Sequence, residues 1–200
     1  FFVDVPGASQ SVIRVGAITL AETDPDFFPA SVMNVRLGGV FISRLNQVLR
    51  EQKGYTYGAS SRFSGSDLPG PFTVGTGVRS NVTLESVELI RDILTGYADG
   101  FTPEDLDMTQ SYLIRSNARA FESLRSKISM LEKISTLGLP LDYVVERERV
   151  VDTMTLERVR DLARRYVDPA RLVFLVVGDA HTQLPRLSAA GLGRPILIDI

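Results

Sequence analysis

Arg50 and Tyr57 are the side chains of this sequence whose types and spacing best suit chemistry on an acceptor-rich ligand. They stand seven residues apart in Leu49-Arg50-Glu51-Gln52-Lys53-Gly54-Tyr55-Thr56-Tyr57-Gly58, where the pattern passes from a helix into a strand. A guanidinium offers a fork of donors to carbonyls or carboxylates, and a phenol donates to an oxyanion from a rigid ring. Together they are able to clamp or polarise a peptide. The plainer reading pairs Arg50 with Glu51 or another surface acid and packs Tyr57 with its hydroxyl in water. Glu51 suits both, because it either orients Arg50 through a charge-assisted hydrogen bond or sits on a solvated helix end. Gly38, Gly39 and Gly54 are read as serving backbone geometry rather than ligand contact. Ser43 and Arg44, one turn earlier, are assigned to packing or to the surface.

Other chemistries fail on counts. The absence of cysteine removes disulfides, thiolate nucleophiles and Cys-ligated zinc. His181 is the only imidazole; in Gly178-Asp179-Ala180-His181-Thr182, just after an apolar strand, it reads as a surface or turn residue rather than a metal ligand. A catalytic zinc site usually takes three protein ligands, often two of them His, and neither a His-x-x-Glu-His nor a His-Glu-x-x-His string occurs. A triad built on His181 lacks a Gly-x-Ser-x-Gly elbow. The chain alone is therefore expected to be inactive, with no catalytic residue and no bound metal of its own.

The elements that must position Arg50 and Tyr57 follow from ordinary globular composition, 44% hydrophobic and 23% charged over 200 residues. That length suits a single domain spanning residues 1–200. Net charge is −2 and no Lys/Arg run exceeds two residues, which argues against a dedicated nucleic-acid surface. The longest apolar run, Leu172 to Val177, falls far short of the about 20 residues of a membrane helix. The opening Phe1-Phe2-Val3-Asp4 has no methionine and no signal-peptide pattern, so an excised or processed piece is expected.

Periodicity predicts strands at Ser11–Leu20, Tyr55–Phe63, Phe72–Val78 and Arg171–Val177, with further extended chain at 195–200. The apolar last strand belongs in the middle of a sheet. Helices are predicted at Phe28–Leu37, Val40–Glu51, Leu84–Tyr97, from Thr102-Pro103-Glu104-Asp105 to about Glu122, and at Leu124–Leu137, Asp142–Val151 and Leu156–Val167. Thr102 with Asp105 looks like a capping box, and Thr155 is a candidate cap. Phe27, Phe28, Phe41, Phe63 and Phe72 are assigned to core or interdomain packing. The expected fold is α+β, a layered domain with a mixed, mainly antiparallel sheet packed against several helices.

Three blocks in order make the sequence recognisable. The segment LGG-x-F-x-SRL-x-x-x-LRE-x-x-G-x-TYG at Leu37 to Gly58 resembles the insulinase or pitrilysin family of zinc peptidases, which includes processing-peptidase-like members. VPGASQSVIRVG at Val5 to Gly16 resembles the opening strand of that family's C-terminal homologous domain, and LVFLVVGD at Leu172 to Asp179 its closing strand.

The resemblance implies that the zinc of the intact enzyme is held by the N-terminal homologous domain, either in the same polypeptide or in a separate subunit. It also implies a homo- or heterodimeric partnership. Arg50 and Tyr57 match the Arg and Tyr through which the C-terminal domain reaches across to bind substrate near the scissile carbonyl. The expected ligand is a peptide enclosed in a chamber between two halves and paired with a sheet edge. The rival expectation is a non-catalytic peptide-binding or assembly subunit. The compartment is periplasmic or cytoplasmic, with a family-based lean to the periplasm.

Overall fold

Alternating burial shows how this sequence builds its sheet. Inward Ser11, Ile13 and Val15 alternate with outward Val12 and Arg14, and inward Phe72, Val74, Thr76 and Val78 alternate with Thr73, Gly75 and Gly77. The computed structural model describes residues 1–120 and 122–199, without the side chains of 118–120. Six strands run β1 (Phe2–Asp4), β2 (Gln10–Ile18), β3 (Thr56–Phe63), β4 (Pro71–Arg79), β5 (Val173–Gly178) and β6 (Leu197–Ile198). They form one sheet in the order β3-β4-β2-β5-β1-β6. The pairings β2–β4, β2–β5 and β3–β4 are antiparallel, and β1–β5 and β1–β6 are parallel. The fold is the expected α+β layering with a mixed, mainly antiparallel sheet, and β5 lies in its interior.

Eight helices accompany the sheet among the described residues: α1 (Phe27–Asn34), α2 (Arg44–Asn46), α3 (Thr83–Gly100), α4 (Pro103–Ala120), α5 (Leu124–Leu137), α6 (Tyr143–Thr153), α7 (Leu156–Tyr166) and α8 (Ala180–Leu187). The α3 stripe Val87, Ile90, Leu94, Tyr97 is buried, as its spacing predicts. At the start of α4 the Thr102 hydroxyl accepts the Asp105 N–H and the Asp105 carboxylate accepts the Thr102 N–H, each at 3.2 Å, which closes a capping box. Ser123 and Thr155 cap α5 and α7, and Gly138 ends α5 in the left-handed region at φ +62°. The end of α4 expected near Glu122 meets residue 121, outside the described residues.

The helix expected over Val40–Glu51 begins only at Arg44, and Val40 to Ser43 form a turn. Ile42, part of the helical period expected there, is exposed instead, as is Phe41, expected in core or interdomain packing. Two further differences are β1, too short for a period to register, and α8, which carries Pro185 inside it. His181 lies exposed in the first turn of α8.

Helices cover one face of the sheet. The core joins Phe2, Ile13, Val15, Phe72, Val74 and Val176 of the strands to Val32, Met33, Leu37, Ile90, Leu94 and Leu162 of the helices. Asp26, just before α1, is tied to α7 through Arg158, through Arg165 at 2.8 Å and through the Tyr166 hydroxyl at 2.9 Å. Burial alone would raise the Asp26 carboxyl, but Tyr166, Arg158 and Arg165 outweigh it and hold it below the usual carboxylate range. Burial and the same carboxylate push the Tyr166 hydroxyl up to about 12. The other face is open, and Ile18 and Val173 there are 70% and 50% exposed.

Candidate functional site

The candidate site is built where α1 turns back toward the strands. α1 widens into a π-helical segment, Val35–Gly39, and α2 does the same at Gln47–Gln52. Gly38 is required by close approach, since a Cβ there would collide with the Ser61 backbone nitrogen and hydroxyl on β3 and with Leu45. Two asparagines fasten these segments to β3. Asn34 Nδ2 donates to the Ser61 carbonyl at 2.8 Å, and Asn46 Oδ1 accepts the Ala59 N–H at 2.8 Å. β3 is a sheet edge, but these two backbone groups are already taken by side chains, so that stretch of edge is not free for an incoming strand.

The turn between the two segments is locked from beneath. Arg36, buried, places Nε 2.8 Å from Asp105 Oδ1 and donates from Nη1 to the Ile42 carbonyl at 2.7 Å. Arg44 donates to the other Asp105 oxygen at 2.6 Å and to the Gly100 carbonyl. Burial would raise the Asp105 carboxyl, yet the Thr102 N–H and the two guanidiniums hold it below the usual range. Arg44, read from sequence as packing or surface, is thus part of a buried ionic lock.

Phe41 rides on this turn, 63% exposed, with the Arg50 guanidinium 4.3 Å from its ring centroid. Arg50 Nη1 lies 3.1 Å from Glu51 Oε1, so the neighbouring acid does pair with it. The alignment is not that of a hydrogen bond, and Nη1 is shielded from solvent with no hydrogen-bond partner in the protein. The side chain as a whole is 33% exposed, and through that exposed part a carbonyl can reach it.

Between Arg50 and Tyr57 the chain reverses at Gly54, φ +63°, whose N–H reaches the Arg50 carbonyl at 3.0 Å while the Tyr55 N–H reaches that of Leu49 at 2.9 Å. β3 then carries an irregularity between Thr56 and Ala59. The Thr56 hydroxyl accepts the Gly58 N–H at 3.0 Å and the Thr76 hydroxyl at 2.9 Å, which fixes the bulge. Tyr57 projects from it, 94% exposed. The plain expectation of a packed Tyr57 ring does not hold: the whole phenol is presented to solvent.

Neither Phe41 nor the Arg36–Asp105–Arg44 lock was found as part of the site by residue-type reasoning. The signal for Phe41 was its place inside the block after Gly38-Gly39 that carries the family resemblance; the lock spans more than sixty residues of sequence and left none. Among the described residues, no group of three or more His, Cys, Asp or Glu side chains is placed to hold a metal ion. This chain's residues do not fit the zinc centre that the resemblance implies for the intact enzyme.

Residues 1–113 match the peptidase M16 inactive domain, and the chain belongs to that family. The Bacillus subtilis protein named uncharacterized zinc protease YmxG is 33% identical over 138 residues, 67% of this chain and 33% of that protein. The Helicobacter pylori protein named non-peptidase homolog YmxG is 24% identical over 172 residues, 85% of this chain and 40% of its own length. A crystal structure of a peptidase M16 inactive domain from Pseudomonas fluorescens superposes with a TM-score of 0.82 at 26% identity, covering 89% of this chain and 43% of that one. The chain thus spans only about a third to two fifths of the curated relatives it matches. None of the helices is long and apolar enough to cross a membrane among the described residues.

Proposed function

We propose that this domain is the substrate-binding half of a zinc-dependent endopeptidase, facing a zinc-bearing homologous half in the same polypeptide or in a separate subunit. The observation that carries this reading is the pair itself: an Arg50 guanidinium one-third exposed against the Phe41 ring, and a Tyr57 phenol 94% exposed on a fixed bulge. The Tyr57 hydroxyl donates to the scissile carbonyl oxygen as negative charge develops on it, and Arg50 holds a neighbouring peptide carbonyl in place. Phe41 supports the Arg50 guanidinium, and the Thr56–Gly58 turn holds the backbone from which Tyr57 projects.

The test is hydrolysis of a quenched fluorescent peptide mixture by this chain combined with a zinc-bearing half, set against each half alone and against the mixture with a chelator. Chelator-sensitive cleavage confined to the mixture supports the reading. A stable, zinc-loaded complex that cleaves nothing favours the second reading, a peptide-binding or assembly subunit. The specific observation behind that second reading is the printed name of the Helicobacter pylori relative, a non-peptidase homolog.

A further inference from the structure

The open face of the sheet carries a cluster of cationic side chains that the candidate site does not use. Register aligns Ser60 on β3, Gly75 on β4, Arg14 on β2 and Leu175 on β5 in one row across four strands, with Arg62 opposite Thr73 in the next row. Gly75 has no side chain, and the Arg14 guanidinium lies across it; a Cβ at 75 would collide with Arg14 Nη1. Arg14, Ser60, Arg62, Thr73 and Gly75 line one recess of about 110 Å³.

Two arginines and two hydroxyl-bearing residues therefore line one small hollow. Among the described residues no carboxylate lies within 4.0 Å of either guanidinium. Among the described residues the one acceptor met by Arg14 is the Ile13 carbonyl, at 3.5 Å. Arg14 and Arg62 flank β4 from β2 and β3, an anion between the two cations is attracted by both, and a planar fork of donors matches a carboxylate. Val12, Ile18 and Val173 of the same face are exposed apolar neighbours, suited to the flanking side chains of an extended chain.

We infer that Arg14 and Arg62, with Ser60 and Thr73, form a subsite for the side-chain carboxylate of an acidic residue in an extended peptide laid over the open sheet face. The inference rests on the peptide-binding reading above and names its substrate class: peptides with an Asp or Glu some distance from the cleaved bond. Arg62 is five residues along β3 from Tyr57, about 17 Å at strand rise, so the acid sits about five positions from the bond presented to Tyr57.

The test is fluorescence anisotropy of short, end-labelled peptides, amidated at the C terminus and differing only in one Glu or Gln, titrated with this chain and with its Arg14→Gln, Arg62→Gln and doubly substituted forms. The Glu peptide is expected to bind about tenfold tighter than its Gln twin, the preference weakening in each single variant, vanishing in the double one and fading with added salt. Thermal melts confirm that these surface substitutions leave the fold intact. Equal binding of the two peptides, or a preference that survives the double substitution, overturns the inference. A third peptide, the Gln form left with a free C-terminal carboxylate, overturns it as well if it alone binds tightly, which assigns the recess to chain termini. A dimer in sedimentation that dissolves with the double substitution, without peptide preference, assigns the face to a second copy and also overturns it. Loss of cleavage in the mixture experiment leaves this binding readout standing, and loss of the charge preference leaves cleavage standing.

Discussion

Arg50 does not stand alone at the site: the ring of Phe41, nine residues earlier, supports its guanidinium at 4.3 Å while itself remaining mostly exposed. The stacking limits where the donors of Arg50 can point, at little cost in desolvation. Phe41→Leu is expected to lower kcat/KM of the assembled peptidase about threefold, the loss expected of one exposed cation–π contact, with Phe41→Tyr close to wild type. Steady-state kinetics of both variants checks this. Leu as good as Phe would show that the ring does not position Arg50.

Tyr57→Phe removes one hydroxyl from a side chain that packs against nothing, so folding and partner binding are expected to be untouched. Turnover of the assembled enzyme is expected to fall about a hundredfold, the scale of a lost oxyanion donor, with KM little changed. An unchanged kcat would remove Tyr57 from the chemistry.

Gly38→Ala places a methyl where the Ser61 backbone and hydroxyl already stand. Overpacking of this kind costs about 1–3 kcal/mol. For a chain of this size the thermal midpoint is expected to drop by about 5 °C. Calorimetry on the variant decides the matter, and an unshifted midpoint would mean that the π segment yields freely.

Asp26 and Asp105 are both held below the usual carboxylate range, so each binds its proton less readily folded than unfolded. Their contribution to stability is complete above the unfolded value of about 3.9 and is lost as pH falls below it through the folded values. Thermal midpoints are expected to be level in this respect near neutrality and to fall in acid below about pH 4. Asp105→Asn, which cannot ionise, is expected to be less stable at neutral pH and to show a shallower acid decline. Asp105→Ala, which strands Arg36 in the interior, is expected to cost about 3 kcal/mol.

Much of the fold was legible because it is local. The α3 stripe, the Thr102–Asp105 box, the Thr155 cap and the apolar β5 declare themselves within a few residues. Arg50 and Tyr57 stand out by type and spacing, and the role given them comes from the family resemblance. Misread residues are those whose setting is decided elsewhere in the chain. Ile42 continues a helical period and Phe41 reads as a packing aromatic, yet the chain turns here, with the Ile42 carbonyl bound by Arg36 and both side chains exposed. β1 exists because β5, more than 170 residues later, accepts it as a neighbour. The juxtaposition of Arg14 with Arg62 depends on the register of three strands, which no window of sequence contains.

Asp105 serves at once as the N3 member of the α4 box and as the counter-ion of Arg36 and Arg44. The first turn of α4 and the turn at 40–43 are consequently welded into one cooperative unit, although sixty residues separate them. Neither segment can fray by itself without stranding the shared carboxylate, so their amides are bound to exchange hydrogen with a common opening free energy, and the platform under Arg50 persists for as long as the start of α4 does.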